Sequence, residues 1–311
     1  MLVRGPLPAT TLPRTASPLR LTAAHAHDLP GHSPLAADPD LRTFTADLAR
    51  PYGVELDEEA LAGARGHSYD TLAERAIHAL TDPARPVDLL VLVYATPDVR
   101  PGQAVALRLA ESCPGEPLSF AICDEGAGAA FSALLIADAY ARTAGARRAL
   151  LIAVEQADLH HRPHRPARLP DRHSAAALLW EADGGGRALR GTASRSDVRG
   201  GQVDDALREL CDELPEDALL LLGPGLTGAR PPGGRETRTA RPGNPYTGSW
   251  AALAAALADP GCADRPLALA DREPETGRID LAHWAAAEPA AAPAAAPAAA
   301  PAAEPATEPT A

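Results

Sequence analysis

The stretch FAICDEGAGAAFSALLIADAY, residues 120–140, places a thiol (Cys123) and two carboxylates (Asp124, Glu125) at a small-residue turn that heads a helical run. A thiol becomes a usable nucleophile at a helix N-terminus, where the helix dipole lowers its pKa. Carboxylates in the same turn act as general acid–base groups, or simply as charges that the dipole favours. Cys123 falls inside the apolar strand before the turn, so it is expected as a buried core Cys, with a displaced nucleophile as the alternative. A second group, His160-His161-Arg162-Pro163-His164, offers three imidazoles. Pro163 prevents a helical i, i+4 arrangement, and no acidic or Cys partner stands nearby, so no metal site is expected. With Arg162, Arg165, Arg168 and Arg172 the segment reads as a solvated basic loop, or as a contact for an acidic partner. Asn244 follows Gly243, where an Asn serves either a turn or a substrate.

The elements that must hold these residues follow from apolar periodicity. A strand is predicted over 19–27 and helical structure over 38–78, with Leu72, Ala76 and Leu80 on one face. Continuous apolar runs at 89–93 and 150–154 predict strands buried on both faces, flanking a central strand at 118–123 in a mixed, largely parallel sheet. Helices at 102–112 and 128–143 alternate with them, an α/β signature. Further on, helices are predicted at 203–213 and 249–258, a strand at 218–222 and a weak strand at 267–270. The expected organisation is a poorly ordered segment 1–17, a first half 18–183, a shortened second half 184–284 and a disordered Ala/Pro-rich tail 285–311. In that tail Pro recurs too often for Ala to build a helix.

The turn resembles the nucleophile turn of the thiolase-fold condensing enzymes of the ketoacyl-carrier-protein synthase III group, which reads roughly Phe-Asp-Ile-(small)-Ala-Ala-Cys-(small)-Gly-Phe. Four further segments match in the family's order: 88–98 ending in Ala-Thr-Pro-Asp, 149–155 with its terminal Glu155, 171–181 beginning at Asp171, and Gly243-Asn244 with Ser249. The resemblance implies a layered, thiolase-like α/β fold. It also implies a dimer, in which the sheets of two subunits meet across a two-fold axis.

The family uses a Cys that accepts the acyl group, and a His and an Asn that stabilise the enolate, donors aimed at developing negative charge. Depending on register the Cys position falls on Glu125, Gly126 or Ala127, none of them a thiol. The turn that carries the His falls on Gly223-Pro224-Gly225, and Asn244 matches the Asn. The resemblance therefore implies a degenerate member. The first reading is a non-condensing subunit of a bacterial acyl or polyketide pathway, working as a homodimer or as a heterodimer with an active ketosynthase paralogue and meeting acyl carrier protein or acyl-CoA. The alternative is a malonyl-thioester decarboxylase or acyltransferase using Glu125 and Asn244. For Glu125 this requires a protonated carboxyl, since a carboxylate repels malonate. Asp171 is expected to shape a turn.

Composition narrows the classes. With 311 residues and 46% hydrophobic content the chain can bury a large core. A net charge of −12 argues against nucleic-acid binding, which needs clustered cations. All 29 basic residues are Arg, consistent with a GC-rich bacterial genome. The four Cys form no CxxC pair, so neither a zinc site nor a disulfide framework is expected, and no cofactor is implied. The start MLVRGPLPATTLPR lacks an apolar signal core, and no apolar run reaches the ~18–20 residues of a membrane span. A cytoplasmic protein is expected.

Overall fold

A computed structural model describes residues 16–163 and 168–289, so most of the 1–17 and 285–311 segments and His164 lie outside the described residues. Among the described residues twelve strands are formed: β1 (Arg20–Asp28), β2 (Glu55–Leu56), β3 (Leu89–Val93), β4 (Leu118–Ile122), β5 (Arg148–Glu155), β6 (His161–Arg162), β7 (Ser174–Glu181), β8 (Arg187–Arg195), β9 (Leu219–Leu222), β10 (Thr237–Thr239), β11 (Leu267–Glu273) and β12 (Arg278–Trp284). The helices are α1 (Pro39–Ala49), α2 (Glu58–Ala62), α3 (Tyr69–Leu80), α4 (Val105–Ser112), α5 (Ala129–Thr143), α6 (Val203–Cys211) and α7 (Gly248–Ala258). Among the described residues no helix is long and apolar enough to cross a membrane.

Ten strands form one sheet in the order β10-β9-β11-β12-β8-β1-β7-β5-β3-β4. Among the described residues, strand pairing joins its two five-stranded blocks only where Arg20 and Leu21 of β1 pair with Ala188 and Arg187 of β8. The layering follows from period-two alternation along strands that are apolar on both faces. Leu90, Leu92, Leu150 and Ile152 face outward onto α3 and α4, while Leu89, Val91, Leu151 and Ala153 face inward onto α5 and α7. In the other block Leu220, Leu222, Ala268 and Ala270 meet α6, while Leu219, Leu221, Leu267 and Leu269 meet the same inner helices. The result is a layered α/β architecture with α5 and α7 at its centre, joined where Phe131 packs on Trp250 at a ring separation of 5.0 Å.

Several expectations are corrected. The strand expected at the centre of the sheet is an edge strand: β4 pairs with β3 alone, and β3 lies between β4 and β5. The physical reason is composition. Every residue of β3 is buried, whereas β4 leaves Leu118 and Ala121 exposed. The sheet is evenly mixed rather than largely parallel, since β1, β7, β8 and β12 all pair antiparallel. The helical stretch expected over 38–78 is broken at Pro51, which supports only a 3₁₀ turn, by β2, and by the non-helical segment between α2 and α3. Strands β8 and β12 were not expected from the sequence. Polar residues interrupt both, so neither shows a continuous apolar run. The chain also stays bound to the sheet beyond residue 284, with main-chain bonds from Ala285 to Ala188 and between Glu288 and Gly186.

Candidate functional site

After β4 the chain turns through Cys123, Asp124 and Glu125 into a short 3₁₀ segment, Gly126–Gly128, that leads into α5. The turn is tight: Asp124 has φ 66° and Gly126 has φ 54°, both in the left-handed region. At Gly126 a second constraint acts, because a Cβ there would overlap the carboxylate of Glu273. That side chain, buried at the end of β11, accepts a 2.8 Å hydrogen bond from the Ala127 N–H at the entrance to α5. The space a side chain at Gly126 would fill is therefore occupied by a carboxylate from a strand distant in sequence.

A parallel arrangement exists at Gly223, in the turn after β9. A Cβ there would overlap the Asp271 carboxylate and the Ser249 hydroxyl. Asp271 accepts from the Gly225 N–H at 2.9 Å, from its neighbour Arg272 N–H at 2.8 Å, and from Ser249 Oγ. Burial pushes its pKa up to about 6, with the Ser249 bond opposing. Asp271 and Glu273 are two apart on β11 and leave its inner face together, in phase with Leu267 and Leu269. Sequence reasoning missed both. The available signal was an Asp-x-Glu pair continuing the inward-facing phase of an apolar strand.

Asp271 gives a testable sign. Its folded pKa lies above the ordinary 3.8 of an Asp, so its carboxyl costs nothing below about pH 4. The cost grows as pH rises toward about 6 and stays complete above it, on the order of 2–3 kcal/mol. In Asn the amide oxygen can accept from the Gly225 and Arg272 N–H groups and the amide nitrogen can donate to Ser249 Oγ, so three hydrogen bonds are made without the charge. Asp271→Asn is expected to melt higher than wild type at pH 7.5, with the gap closing toward pH 4. The lowered pKa values of His27 and His173, both to about 4, act in the opposite direction but equally in the two proteins. A melting-temperature difference that does not change with pH would contradict this account.

The residues singled out from sequence are placed as follows. Glu125 Oε2 accepts from Ser132 Oγ at 2.5 Å and from Arg278 at 3.4 Å, which ties the turn to α5 and β12. Arg278 in turn holds the buried Asp280 at 2.9 Å. Ala127 is buried at the entrance to α5. Asn244 lies elsewhere: its amide donates to Ser174 Oγ at 2.7 Å and to the Arg172 carbonyl at 3.3 Å. Ser174 belongs to a buried hub centred on Glu155, which also accepts from the Tyr246 N–H at 3.0 Å and the Thr247 N–H at 3.3 Å. Burial pushes the Glu155 pKa up, and the hydrogen bonds of this hub oppose it. Glu125 and Asn244 share no hydrogen-bond partner. The Asp171 N–H donates to the Gly243 carbonyl at 2.6 Å, so this residue shapes the loop that carries Asn244.

Cys123 is exposed rather than buried in a core, because β4 is an edge strand that ends one residue earlier. Residual burial and the neighbouring Asp124 raise its thiol pKa, opposite to the requirement of a nucleophile. His160, expected in a solvated loop, is buried with Nε2 2.8 Å from the Arg65 carbonyl, and His161 forms part of β6. Among the described residues the groups with metal-ligand spacing are instead His32, Asp158 and His173, whose ligand atoms lie within 4.8 Å of one another. The Nδ1 atoms of His32 and His173 accept from the Gly66 and Ala157 N–H groups at 3.0 and 3.1 Å. In the neutral rings Nε2 therefore carries the proton and is a donor, which does not suit a metal.

No family model and no curated protein matches the sequence. Solved structures do match in fold. AbyA1, a tetronic acid condensing enzyme, superposes with a TM-score of 0.59 at 20% identity, covering 86% of this chain and 99% of its own. The 3-oxoacyl-(acyl carrier protein) synthase III of Pseudomonas aeruginosa PAO1 gives 0.56 at 16% identity, covering 86% and 98%. OleA of Xanthomonas campestris with bound cerulenin gives 0.57 at 12%, covering 86% and 96%. At these identities the likeness is one of architecture, and the chain has the layered α/β fold of these condensing enzymes.

Proposed function

We propose that this chain is a synthase III-like subunit of a bacterial acyl or polyketide pathway that does not condense acyl groups itself and pairs with an active synthase. One observation carries the reading: the Glu273 carboxylate fills the space of a side chain at Gly126, at the head of α5 where a nucleophile would stand. The Asp271 carboxylate against Gly223 supports it at the second position. The likeness to AbyA1 supports a place in specialised metabolism. The outer edge of β4, unpaired among the described residues, supports pairing with a second subunit, either another copy or an intact synthase. Acyl carrier protein or acyl-CoA would be met through that partner's site. The decarboxylase and acyltransferase alternatives need a free carboxyl at Glu125, and the bonds from Ser132 and Arg278 count against them.

Radiolabelled acyl-CoA is expected to leave no stable thioester on the denatured protein. Glu125→Ala is expected to lower the output of the reconstituted pathway no more than about twofold. A loss of ~100-fold or more in a folded variant, the scale of removing an acid–base or enolate-stabilising group, would make the protein an enzyme in its own right. Label abolished by Cys123→Ala would assign the chemistry to a displaced thiol.

A further inference from the structure

A cavity of about 420 Å³ follows the β4 edge and α4 up to Cys123 and Asp124 of the turn, and a second of about 460 Å³, away from the turn, opens on the outer flank of α7. The second is of interest for its lining. Gly248, Ala251, Ala252 and Ala255 lie at i, i+3, i+4 and i+7 on one face of α7 and form its floor. Ala26 of β1, Ala175 of β7 and Leu221 of β9 close it from the two sheet blocks. Small side chains leave the space unfilled, and almost none of the floor can hydrogen-bond. The inner wall is Asn244 and Thr247, whose polar groups are already engaged with Ser174 and Glu155.

The rim is charged. Arg172, Arg238 and Arg241 line it with a single carboxylate, Asp28, in a protein whose net charge is −12. Arg172 is 3.2 Å from Asp28, and Arg238 is paired with Asp259 at 2.9 Å. Arg241 is exposed and has no ion pair among the described residues. A local excess of guanidinium over an apolar floor is complementary to a molecule with an anionic head and an aliphatic body.

We propose that this cavity binds an organic oxyanion, an alkyl carboxylate or alkyl phosphate, with the head at Arg241 and Arg172 and the chain along the small-residue face of α7. The volume lies within the range of about 300–1,000 Å³ typical of ligand sites. It is also about three times a cavity of ~150 Å³ that holds benzene. The inference does not depend on the proposed pairing with a synthase. It concerns the flank opposite the β4 edge and uses neither Gly126 nor Gly223.

Calorimetric titration of the full chain at low salt tests it with octanoate, octyl phosphate, butyrate and 1-octanol. Saturable binding of an eight-carbon anion is expected, and the tighter of the two heads identifies the ligand class. Affinity should rise about fourfold for each methylene between butyrate and octanoate until the cavity is full. Arg241→Ala, an exposed change, should weaken both anions about tenfold. Ala252→Leu, with Ala255→Leu as the more exposed companion should the first not fold, should block the chain and abolish binding. Binding of 1-octanol as tight as that of octanoate, no dependence on chain length, or no saturable binding of either eight-carbon anion would overturn the proposal.

Discussion

Gly126→Cys is expected to destabilise the protein by about 3–5 kcal/mol, read as a lowered urea midpoint. Three costs combine. A side chain at φ 54° pays the left-handed penalty of about 1–2 kcal/mol. Overlap with the Glu273 carboxylate adds an overpacking strain of about 1–3 kcal/mol. Displacing Glu273 also breaks its bond to the Ala127 N–H, a charge-assisted contact of about 1.5–3 kcal/mol, and the terms do not add fully. Glu273→Ala in the same background removes the overlap and should restore roughly half the loss. The double variant then carries a thiol at the head of α5, and labelled acyl-CoA asks whether the remaining cradle still binds a thioester. A Gly126→Cys protein as stable as wild type would refute the filled-position account.

The second large effect concerns the sheet edge. The Leu118 N–H donates to Asp88 and the Ile122 carbonyl accepts from Tyr94, so residues 118, 120 and 122 address β3. Ser119 and Ala121 consequently turn their main-chain groups to the unpaired side. Exposed Leu107 and Leu118 flank that edge. Ala121→Pro removes one outward N–H and leaves the β3 ladder intact, the setting in which a strand tolerates Pro. The variant is expected to keep its melting temperature within a few degrees yet weaken self-association or synthase pairing by about 100-fold or more, the scale of a Pro placed in a paired strand. Sedimentation of wild type and variant, alone and with a co-expressed synthase, reads this directly. Unchanged association would mean that β4 is not the interface.

The sequence made some parts of this molecule readable and concealed others for identifiable reasons. The runs 89–93 of β3, 149–154 of β5 and 219–222 of β9 are apolar at every position because both faces are covered, so composition alone marks them as inner strands. Helix α6 shows its apolar face at Val203, Ala206, Leu207 and Leu210. Strand order was not readable: β4 looks like an inner strand until its exposed Leu118 and Ala121 are seen. The turn at Gly126 was legible as a position without a thiol, but not what fills it, because Glu273 arrives from 147 residues away through a β11 register that only the folded sheet sets. Asn244 was legible as a residue of a Gly-Asn turn. Its engagement with Ser174 depends on how that loop lies against β7.

The two carboxylates of β11 constrain how this chain can change. Because Asp271 and Glu273 stand on one face of one strand, a single-residue slip of β11 against β9 and β12 would withdraw both and turn Arg272 inward instead. Conversely, a bulkier residue at Gly126 or Gly223 collides with a side chain that is still present. Mutational routes to side chains at those turns thus pass first through Asp271 and Glu273 on β11, and substitutions there must come before any at the turns. The constraints at Gly126 and Gly223 behave as one linked character, held in place by a two-residue repeat on a single strand.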